Sequence, residues 1–294
     1  MDKKLPKVGV VGIGFVGGAV VRGFNLFAEI RTYDKDPKRC MNTLEEVLES
    51  DFVFVCLPTP MSSAEGGDCD LSIIDSFFAD AAGYIALKKD NSIYHRNPIF
   101  IIKSTVPIGT THLLCEKYWN LSIVHSPEFL TARSANLDFI TPARNIIGGD
   151  TEWAEQVAVL YKERFPGTPI YIMNSDESEM VKYAANCFFA TKVIFFNEMY
   201  MLADRMGLDW NNILEGLLSD GRIAKSHYQV PGHDGSLGYG GTCFPKDVNA
   251  MIHTMEKFKI DSKLLKAGWE QNKAIRKNWD WADNPSAVRK TNDS

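Results

Sequence analysis

The chain has 294 residues, of which 45% are hydrophobic and 23% charged, enough for two domains of roughly 100–200 residues each. Its formal net charge of −5 excludes the broad basic surface that binds nucleic acid or an anionic membrane. The six cysteines show no C-x-x-C pair and no metal-like spacing with the six histidines, which favours a reduced, cytoplasmic protein without a metal site. No segment supplies the ~20 apolar residues of a membrane span.

The first half of the chain predicts alternating strands and helices. In "KVGVVGIGFVGGAVVRGF" an apolar run leads through a glycine turn into a small-residue helical pattern. Buried strands are then predicted at 29–34, 51–58, 99–107, 121–129 and 143–150, with helices around 38–49, 71–88, 109–119 and 151–164. This alternation is typical of an α/β, Rossmann-like, doubly wound parallel sheet. Its ligands lie across the carboxyl ends of the strands.

A different pattern begins at Asp176, where proline and glycine are absent as far as Met206 and apolar residues recur at helical spacing. We predict one long helix, with Asp176 and Glu179 as a capping box and Gly207 as its C-terminal stop. The sequence therefore predicts a Rossmann-like domain over 1–174 and a mainly helical domain over 175–294.

Glycines 12, 14 and 17 form a G-x-G-x-x-G motif between the first strand and its helix. Missing side chains there allow a tight turn and a close approach of the helix N-terminus to a pyrophosphate. Asp34 ends the second strand, where a carboxylate binds a ribose 2′-OH and repels a 2′-phosphate. The pattern favours NAD over NADP, although Lys35, Lys38 and Arg39 nearby weaken that preference. The alternative is an ordinary turn beside an unrelated surface aspartate.

Polar side chains also follow two later strands. Ser104 and Thr105 come after the strand that begins at residue 99, at the sheet edge where a cofactor or substrate binds. The alternative, which is the more common one for such residues, is plain turn chemistry. Glu128 lies just past another apolar run. Partial burial would raise its pKa toward that of a useful base, and the alternative is a solvated loop carboxylate.

On the long helix, Lys182 and Asn186 are four residues apart and project from one face. A cation and an amide donor on one face can hold an oxyanion, whereas the alternative is a solvated helix face. The neighbouring Cys187 is expected to point elsewhere and pack in the core.

The stretch "YGGTCFPKDV" places Cys243 between flexible glycines and the start of a predicted helix, with Lys246 and Asp247 following. A nearby cation and a helix N-terminus both favour the nucleophilic thiolate. The sequence therefore predicts a reactive thiol, and the alternative is a buried structural cysteine.

In sequence order, "VGIGFVG", "FVCLPTP", "KSTVPIGT", "SPEFL", "KYAANCFFATKVIFFNE", "GRI" and "GYGGTCFPKD" cover most of the chain. With these motifs the chain resembles the UDP-glucose/GDP-mannose dehydrogenase family. The resemblance implies a two-step, NAD-dependent oxidation of a nucleotide sugar's primary alcohol to the carboxylate, UDP-glucose to UDP-glucuronate above all. It also implies a homodimer formed through the helical domain and a role in polysaccharide precursor supply.

The resemblance further implies roles for single residues. Cys243 would form a thiohemiacetal and then a thioester, Glu128 would be the base for hydrolysis, and Lys182 and Asn186 would stabilise the sugar oxyanion. Thr105 and Asp247 would position water or move the first proton. The implied NAD contacts are Gly12, Ile13, Gly14, Phe15, Val16, Gly17, Asp34, Arg39, Thr59, Ser104, Thr105 and Lys246. The implied substrate contacts are Glu128, Phe129, Leu130, Lys182, Asn186, Gly240 and Arg222, the last supplied by a partner subunit.

Three features depart from the family pattern. Ala132 stands where the family usually has a second glutamate, so a substrate or closure contact is missing. The segment "AKSHYQVPGHDGSL" before Cys243 is longer than usual, which leaves the alignment of Tyr228 with the family's substrate loop open. Family members also continue into a third, nucleotide-holding domain. We therefore expect an enzyme whose nucleotide contacts come from a neighbouring subunit or a separate chain.

Two other functions stay open at this point. One is a two-electron hydroxyacid or polyol dehydrogenase with a related two-domain plan, and the other is a non-catalytic NAD-binding subunit. The reactive cysteine argues against the first. The set Thr105, Glu128, Lys182, Asn186, Cys243 and Asp247 argues against the second, because a binding module does not require all six.

Overall fold

The structure, a computed structural model, describes residues 4–89, 97–131 and 134–289. They form two compact units, each described here by itself: unit 1 takes the described residues of 1–59 and 71–182, and unit 2 those of 60–70 and 183–294. The units divide inside the long helix, after Lys182. The domain ranges 1–174 and 175–294 stay a prediction.

Unit 1 contains a seven-stranded sheet in the order β2-β1-β3-β4-β5-β6-β7. The strands are β1 (Lys7–Val11), β2 (Glu29–Tyr33), β3 (Phe52–Val55), β4 (Ile99–Ile102), β5 (Ser122–His125), β6 (Asn145–Gly149) and β7 (Ile170–Met173). Strand pairs are parallel except β5 with β6, which is antiparallel. The Rossmann-like prediction is confirmed, but a parallel direction for 143–150 is wrong. Here β6 begins at the edge where β5 ends, so the intervening chain does not cross the sheet.

Helices cover both faces of this sheet. They are α1 (Phe15–Phe24), α2 (Leu44–Leu48), α3 (Ser72–Lys89), α4 (Thr110–Lys117), α5 (Ala135–Ile140) and α6 (Thr151–Arg164). Because side chains alternate along a strand, Phe54 of β3 joins one apolar cluster while Val53 and Val55 join the other. Burial on both faces explains why these strands read as continuous apolar runs.

Unit 2 is helical. Besides its part of α7 (Ser175–Arg205), it contains α8 (Trp210–Leu218), α9 (Phe244–Lys257) and α10 (Lys263–Ile275). Residues 60–70 are held by the chain after α10. The Met61 N–H donates to the Ala287 carbonyl at 2.7 Å, and the indole N–H of the fully buried Trp281 donates to the Ala64 carbonyl at 3.0 Å.

The two ends of α7 test the predicted helix signals. At the start, the Asn174 side chain accepts from the Glu177 N–H at 2.9 Å, and the Glu177 carboxylate accepts from the Asn174 N–H at 3.1 Å. The capping box predicted at Asp176 and Glu179 is therefore wrong, because the cap lies two residues earlier, at Asn174 and Glu177. Gly207 adopts φ 68° and ends the helix as predicted. Within the described ranges, none of the helices combines the length and apolar character needed to cross a membrane.

Candidate active site in two parts

The glycine motif joins β1 to α1 through close backbone packing. Gly12 has φ 86°, and its N–H donates to the Tyr33 carbonyl at 2.9 Å. A Cβ at Gly12 would lie 2.5 Å from the Cys56 carbonyl oxygen, and a Cβ at Gly17 would collide with the Gly12 carbonyl. A Cβ at Gly14 would meet open space. The first and third glycines thus allow the turn and the helix packing, and the second leaves room for a ligand.

The first turn of α1 presents backbone N–H groups at this open position. Gly14 is the N-cap residue and no side chain caps the helix. The predicted contacts Phe15 and Val16 form its first turn. An uncapped helix N-terminus beside an open glycine fits the pyrophosphate of NAD.

Asp34 follows β2 directly and lies at the same loop. Its Oδ2 accepts from the Ile13 N–H at 2.7 Å, and its Oδ1 accepts from the Asp36 N–H at 2.9 Å. Each carboxylate oxygen keeps a lone pair for a ribose hydroxyl. Arg39 lies 3.5 Å from Asp36, in a surface ion pair. The carboxylate therefore has the place and the acceptors that NAD needs.

Hydroxyl groups in the loops after β3 and β4 form hydrogen bonds with the backbone of the other loop. The Thr59 hydroxyl donates to the Thr105 carbonyl at 2.8 Å, and the Ser104 hydroxyl donates to the Leu57 carbonyl at 2.6 Å. These bonds tie the carboxyl ends of two neighbouring strands together. Direct contacts of the three residues with NAD stay a prediction.

Glu128 and Lys182 form a buried ion pair in unit 1. The Lys182 Nζ donates to Glu128 Oε1 at 3.0 Å, and the Leu130 N–H donates to Oε2 at 2.6 Å. Burial by itself raises the pKa of Glu128, but the Lys182 charge and these hydrogen bonds outweigh it, so the pKa is lowered. The predicted upward shift is wrong because the sequence did not show the lysine beside this carboxylate. The alternative of a solvated loop carboxylate is also wrong.

Lys103, which the sequence reasoning missed, lies beside this pair. Its buried Nζ donates to the Pro127 carbonyl at 3.0 Å. Burial lowers the pKa of Lys103 to about 8, opposed by the charges of Cys56 and Glu128. A lysine at the end of the apolar run "IFIIK" was the available signal, since a cation at the end of a buried strand is itself expected to be buried.

A cavity of about 210 Å³ opens next to these charges. The predicted substrate residues Phe129 and Leu130 line it, together with Lys103, Glu128 and Arg144. The Arg144 guanidinium lies 4.0 Å from the centre of the Phe129 ring, and Lys182 Nζ lies 5.5 Å from it. Sequence reasoning missed Arg144. The cavity wall thus includes an aromatic ring that has two cations within cation–π distance.

Asn186, one turn after Lys182 on α7, belongs to unit 2. Both side chains are buried, which rules out the solvated helix face. The Asn186 Nδ2 donates to Asp247 Oδ2 at 2.5 Å. Cys187 is buried, as predicted.

Cys243 lies at the N-terminus of α9 as its N-cap residue, and it is exposed. A buried structural cysteine is therefore excluded. The Asp247 N–H donates to the Cys243 carbonyl at 2.9 Å, so both residues belong to the first turn. The partly buried Lys246 Nζ lies 2.5 Å from Asp247 Oδ1. Burial lowers the pKa of Lys246, but the charges of Asp247 and Cys243 outweigh this effect and raise it, so Lys246 stays cationic beside the thiol.

The remaining predicted substrate residues differ in exposure. Arg222 is exposed and its guanidinium pairs with Asp220 at 2.6 Å; its contact with the substrate stays a prediction. Gly240 lies in a loop held by Asn272, Arg276 and Asp280, three residues that the sequence reasoning missed. Ala132 lies outside the described residues.

The predicted catalytic residues thus fall into two sets. Thr105, Glu128 and Lys182 belong to unit 1, where the last two form an ion pair. Asn186, Cys243 and Asp247 belong to unit 2, together with Lys246. The Asp247 carboxylate accepts one hydrogen bond from Asn186 and one from Lys246. The described geometry supports a charge-paired carboxylate in one unit and an exposed thiol near a partly buried cation in the other.

Two family models match the chain. Residues 176–274 match the UDP-glucose/GDP-mannose dehydrogenase family, central domain, and residues 35–164 match the NAD binding domain of the same family. The UDP-glucose 6-dehydrogenase of Rickettsia typhi is 33% identical over 229 residues, 76% of this chain and 49% of the relative. The chain spans about half the length of the curated relatives it matches.

Solved structures show the same fold. A UDP-glucose dehydrogenase from Pyrobaculum islandicum has a TM-score of 0.81 at 28% identity, covering 93% of this chain and 69% of that one. The 3-hydroxyisobutyrate dehydrogenase of Mycobacterium tuberculosis has a TM-score of 0.70 at 14% identity, covering 90% of this chain and 92% of that one. The second likeness concerns the fold alone.

Proposed function

Because the chain belongs to the UDP-glucose/GDP-mannose dehydrogenase family, we propose that it oxidises the primary alcohol of a nucleotide sugar to the carboxylate, with UDP-glucose as the first candidate. The observation that carries the proposal is Cys243, an exposed thiol at the start of α9 with the Lys246 cation nearby. Such a nucleophile suits a four-electron oxidation, because it keeps the aldehyde covalently bound between its two oxidations.

NAD fits unit 1 at the glycine motif. Gly14 and the first turn of α1 would hold the pyrophosphate, and Asp34 would accept from a ribose hydroxyl. When bound, NAD would accept one hydride in each oxidation, alcohol to aldehyde and thiohemiacetal to thioester. The chain's own residues must therefore supply the nucleophile, the oxyanion donors and the hydrolytic water.

Cys243 provides the covalent step. Its thiolate adds to the aldehyde carbon, forming a C–S bond, and the carbonyl electron pair moves to oxygen, which takes a proton. After the second oxidation, water adds to the thioester carbon and the C–S bond breaks, so that carboxylate and thiolate are released. Lys246 and the N–H groups of the first turn of α9 favour the thiolate in both steps.

Lys182 and Asn186 are the proposed donors to the sugar oxyanion. Both are buried and already paired, Lys182 with Glu128 and Asn186 with Asp247. When Lys182 turns to the oxyanion, Glu128 loses the charge that lowers its pKa. Its pKa then rises, so Glu128 becomes a stronger base for the hydrolytic water at that stage.

A second copy of the chain is the proposed partner. On α7, Phe188, Phe195 and Leu202 are spaced by seven residues and expose 64%, 52% and 56% of their surface. Such a spacing places them on one helix face, which supports a homodimer through this helix. Sedimentation should show Phe195→Glu shifting the protein to monomer, whereas Leu113→Glu, on an exposed position of α4, should not. A monomeric native protein would contradict the dimer.

The alternative is the two-electron dehydrogenase that the sequence left open. The deciding experiment measures NADH formed per sugar consumed, with UDP-glucose, GDP-mannose and UDP-N-acetylmannosamine in parallel. Two NADH per sugar from one donor are expected. One NADH per molecule, or none while calorimetry shows bound NAD, would contradict the proposal.

A further inference from the structure

A buried amide holds the backbone of the loop before Cys243. The Asn272 side chain, fully buried on α10, accepts from the Tyr239 N–H at 2.7 Å and donates to the Tyr239 carbonyl at 3.0 Å. The neighbouring Gly238 N–H donates to Asn197 Oδ1 at 3.0 Å. One side chain thus satisfies both main-chain groups of Tyr239, as a paired strand would.

The glycines around Tyr239 allow this close approach. Gly238 has φ 70°, and a Cβ there would collide with Asn272 Oδ1. A Cβ at Gly240 would collide with Arg276, whose buried guanidinium also pairs with Asp280 at 2.9 Å. Because these glycines lack side chains, Asn272 and Arg276 can pack against the loop and hold it. Here glycine allows close packing, whereas glycine elsewhere adds flexibility.

Asp280 binds the loop backbone at a position closer to the Cys243 thiol. Its Oδ2 accepts from the Gly241 N–H at 3.0 Å, two residues before Cys243. On the other side of Cys243, the Phe244 ring meets the Tyr239 ring edge-on, with centres 6.0 Å apart. Tyr239, fixed by Asn272, therefore contacts the residue that follows the nucleophile.

We infer that Asn272 is a positioning residue, which fixes Tyr239 and thereby keeps Cys243 where its sulfur reaches the aldehyde carbon. The inference rests on the proposed function, since it names what holds the proposed nucleophile. Without Asn272, the loop keeps its glycines but loses the amide that orders Tyr239. Addition of the thiol to the aldehyde then slows, while the first oxidation, which does not use the thiol, continues.

Hydrogen exchange on the full chain tests the contact independently of activity. In Asn272→Ala, the Tyr239 amide should exchange about tenfold faster than in the native chain. The control is Asn120→Ala, which removes a 3.0 Å bond to the Ala82 carbonyl in unit 1 and should leave the loop unchanged. Asn272→Asp keeps an acceptor for the Tyr239 N–H and should lie between native and alanine variants. Unchanged exchange in both Asn272 variants would overturn the inference.

The second readout is the number of NADH formed per sugar, with hydroxylamine present to trap released aldehyde. A positioning role predicts that Asn272→Ala falls from two NADH toward one and releases trapped aldehyde. A merely structural role lowers the amount of active protein and leaves the ratio at two, which would overturn the inference. If the native chain formed no NADH, the proposed function would fail, and the exchange measurement would still decide whether Asn272 orders the loop.

Discussion

Replacing Lys182 with methionine removes the cation from the buried pair with Glu128. The two atoms lie 3.0 Å apart and the side chains are 5% and 10% exposed. At an effective dielectric constant near 20, unit charges at that distance attract by about 5 kcal/mol. Desolvation of both groups offsets part of this attraction, so we expect the free energy of unfolding to fall by about 3 kcal/mol.

The pH dependence of this effect has a defined sign. Because the pKa of Glu128 is lowered in the folded chain, its contribution to stability is present above the ordinary glutamate pKa. It is lost as the pH falls through the folded pKa. Removing Lys182 raises that pKa, so the difference between native and Lys182→Met proteins should be largest near neutral pH and shrink in acid.

A double-mutant cycle in urea measures the pair alone. It uses the native chain, Lys182→Met, Glu128→Gln and the double variant at pH 7. A matched cycle on Lys117 and Asp75, an ion pair 2.7 Å apart but 56% and 44% exposed, should show no measurable coupling, because solvent screens it. A coupling energy between Lys182 and Glu128 below about 0.5 kcal/mol would refute the reasoning.

Two further predictions concern unit 1. Gly14→Ala should keep the native Tm but weaken NAD binding in calorimetry, because a Cβ at Gly14 meets open space in the protein. Gly17→Ala should lower the Tm, because a Cβ at Gly17 collides with the backbone of Gly12. Equal losses of Tm in the two variants would contradict this reasoning. Burial raises the pKa of Glu179 from 4.5 to about 7, so the folded chain binds this proton more tightly than the unfolded chain. Stability should therefore fall by about 3 kcal/mol as pH rises from about 4.5 to 7. Denaturant unfolding across pH should show that Glu179→Gln flattens this slope, and an unaltered slope would contradict the assignment.

The sequence predicted those structural features that depend on residues close together in the chain. Apolar runs and the glycine motif sufficed for the sheet, since buried strands and a strand-to-helix turn have short-range signatures. Gly207 marked the end of α7 because a left-handed residue is needed there. The strand Ile170–Met173 and the helix Ala135–Ile140 were missed, since both are short and flanked by irregular chain.

Contacts between distant positions were not predictable in this way. Glu179 was assigned to a capping box, yet its carboxylate accepts from Gly109 at 2.6 Å and Thr111 at 2.8 Å, at the start of α4. The pKa of Glu128 depends on a lysine 54 positions away. In the sequence, Asn272 looks like any other polar residue of a helix. Its role follows only from its hydrogen bond with Tyr239 in the folded chain. Each case is set by tertiary packing, which a single sequence does not display.

The most direct test of the central claim compares Cys243→Ala with Cys115→Ala, a substitution on α4. With NAD and UDP-glucose, NADH and carboxylate are measured per sugar consumed while hydroxylamine traps free aldehyde. The account predicts that Cys243→Ala binds NAD normally, forms at most one NADH per sugar and makes no carboxylate, whereas Cys115→Ala forms two. Two NADH and full carboxylate from Cys243→Ala would contradict it.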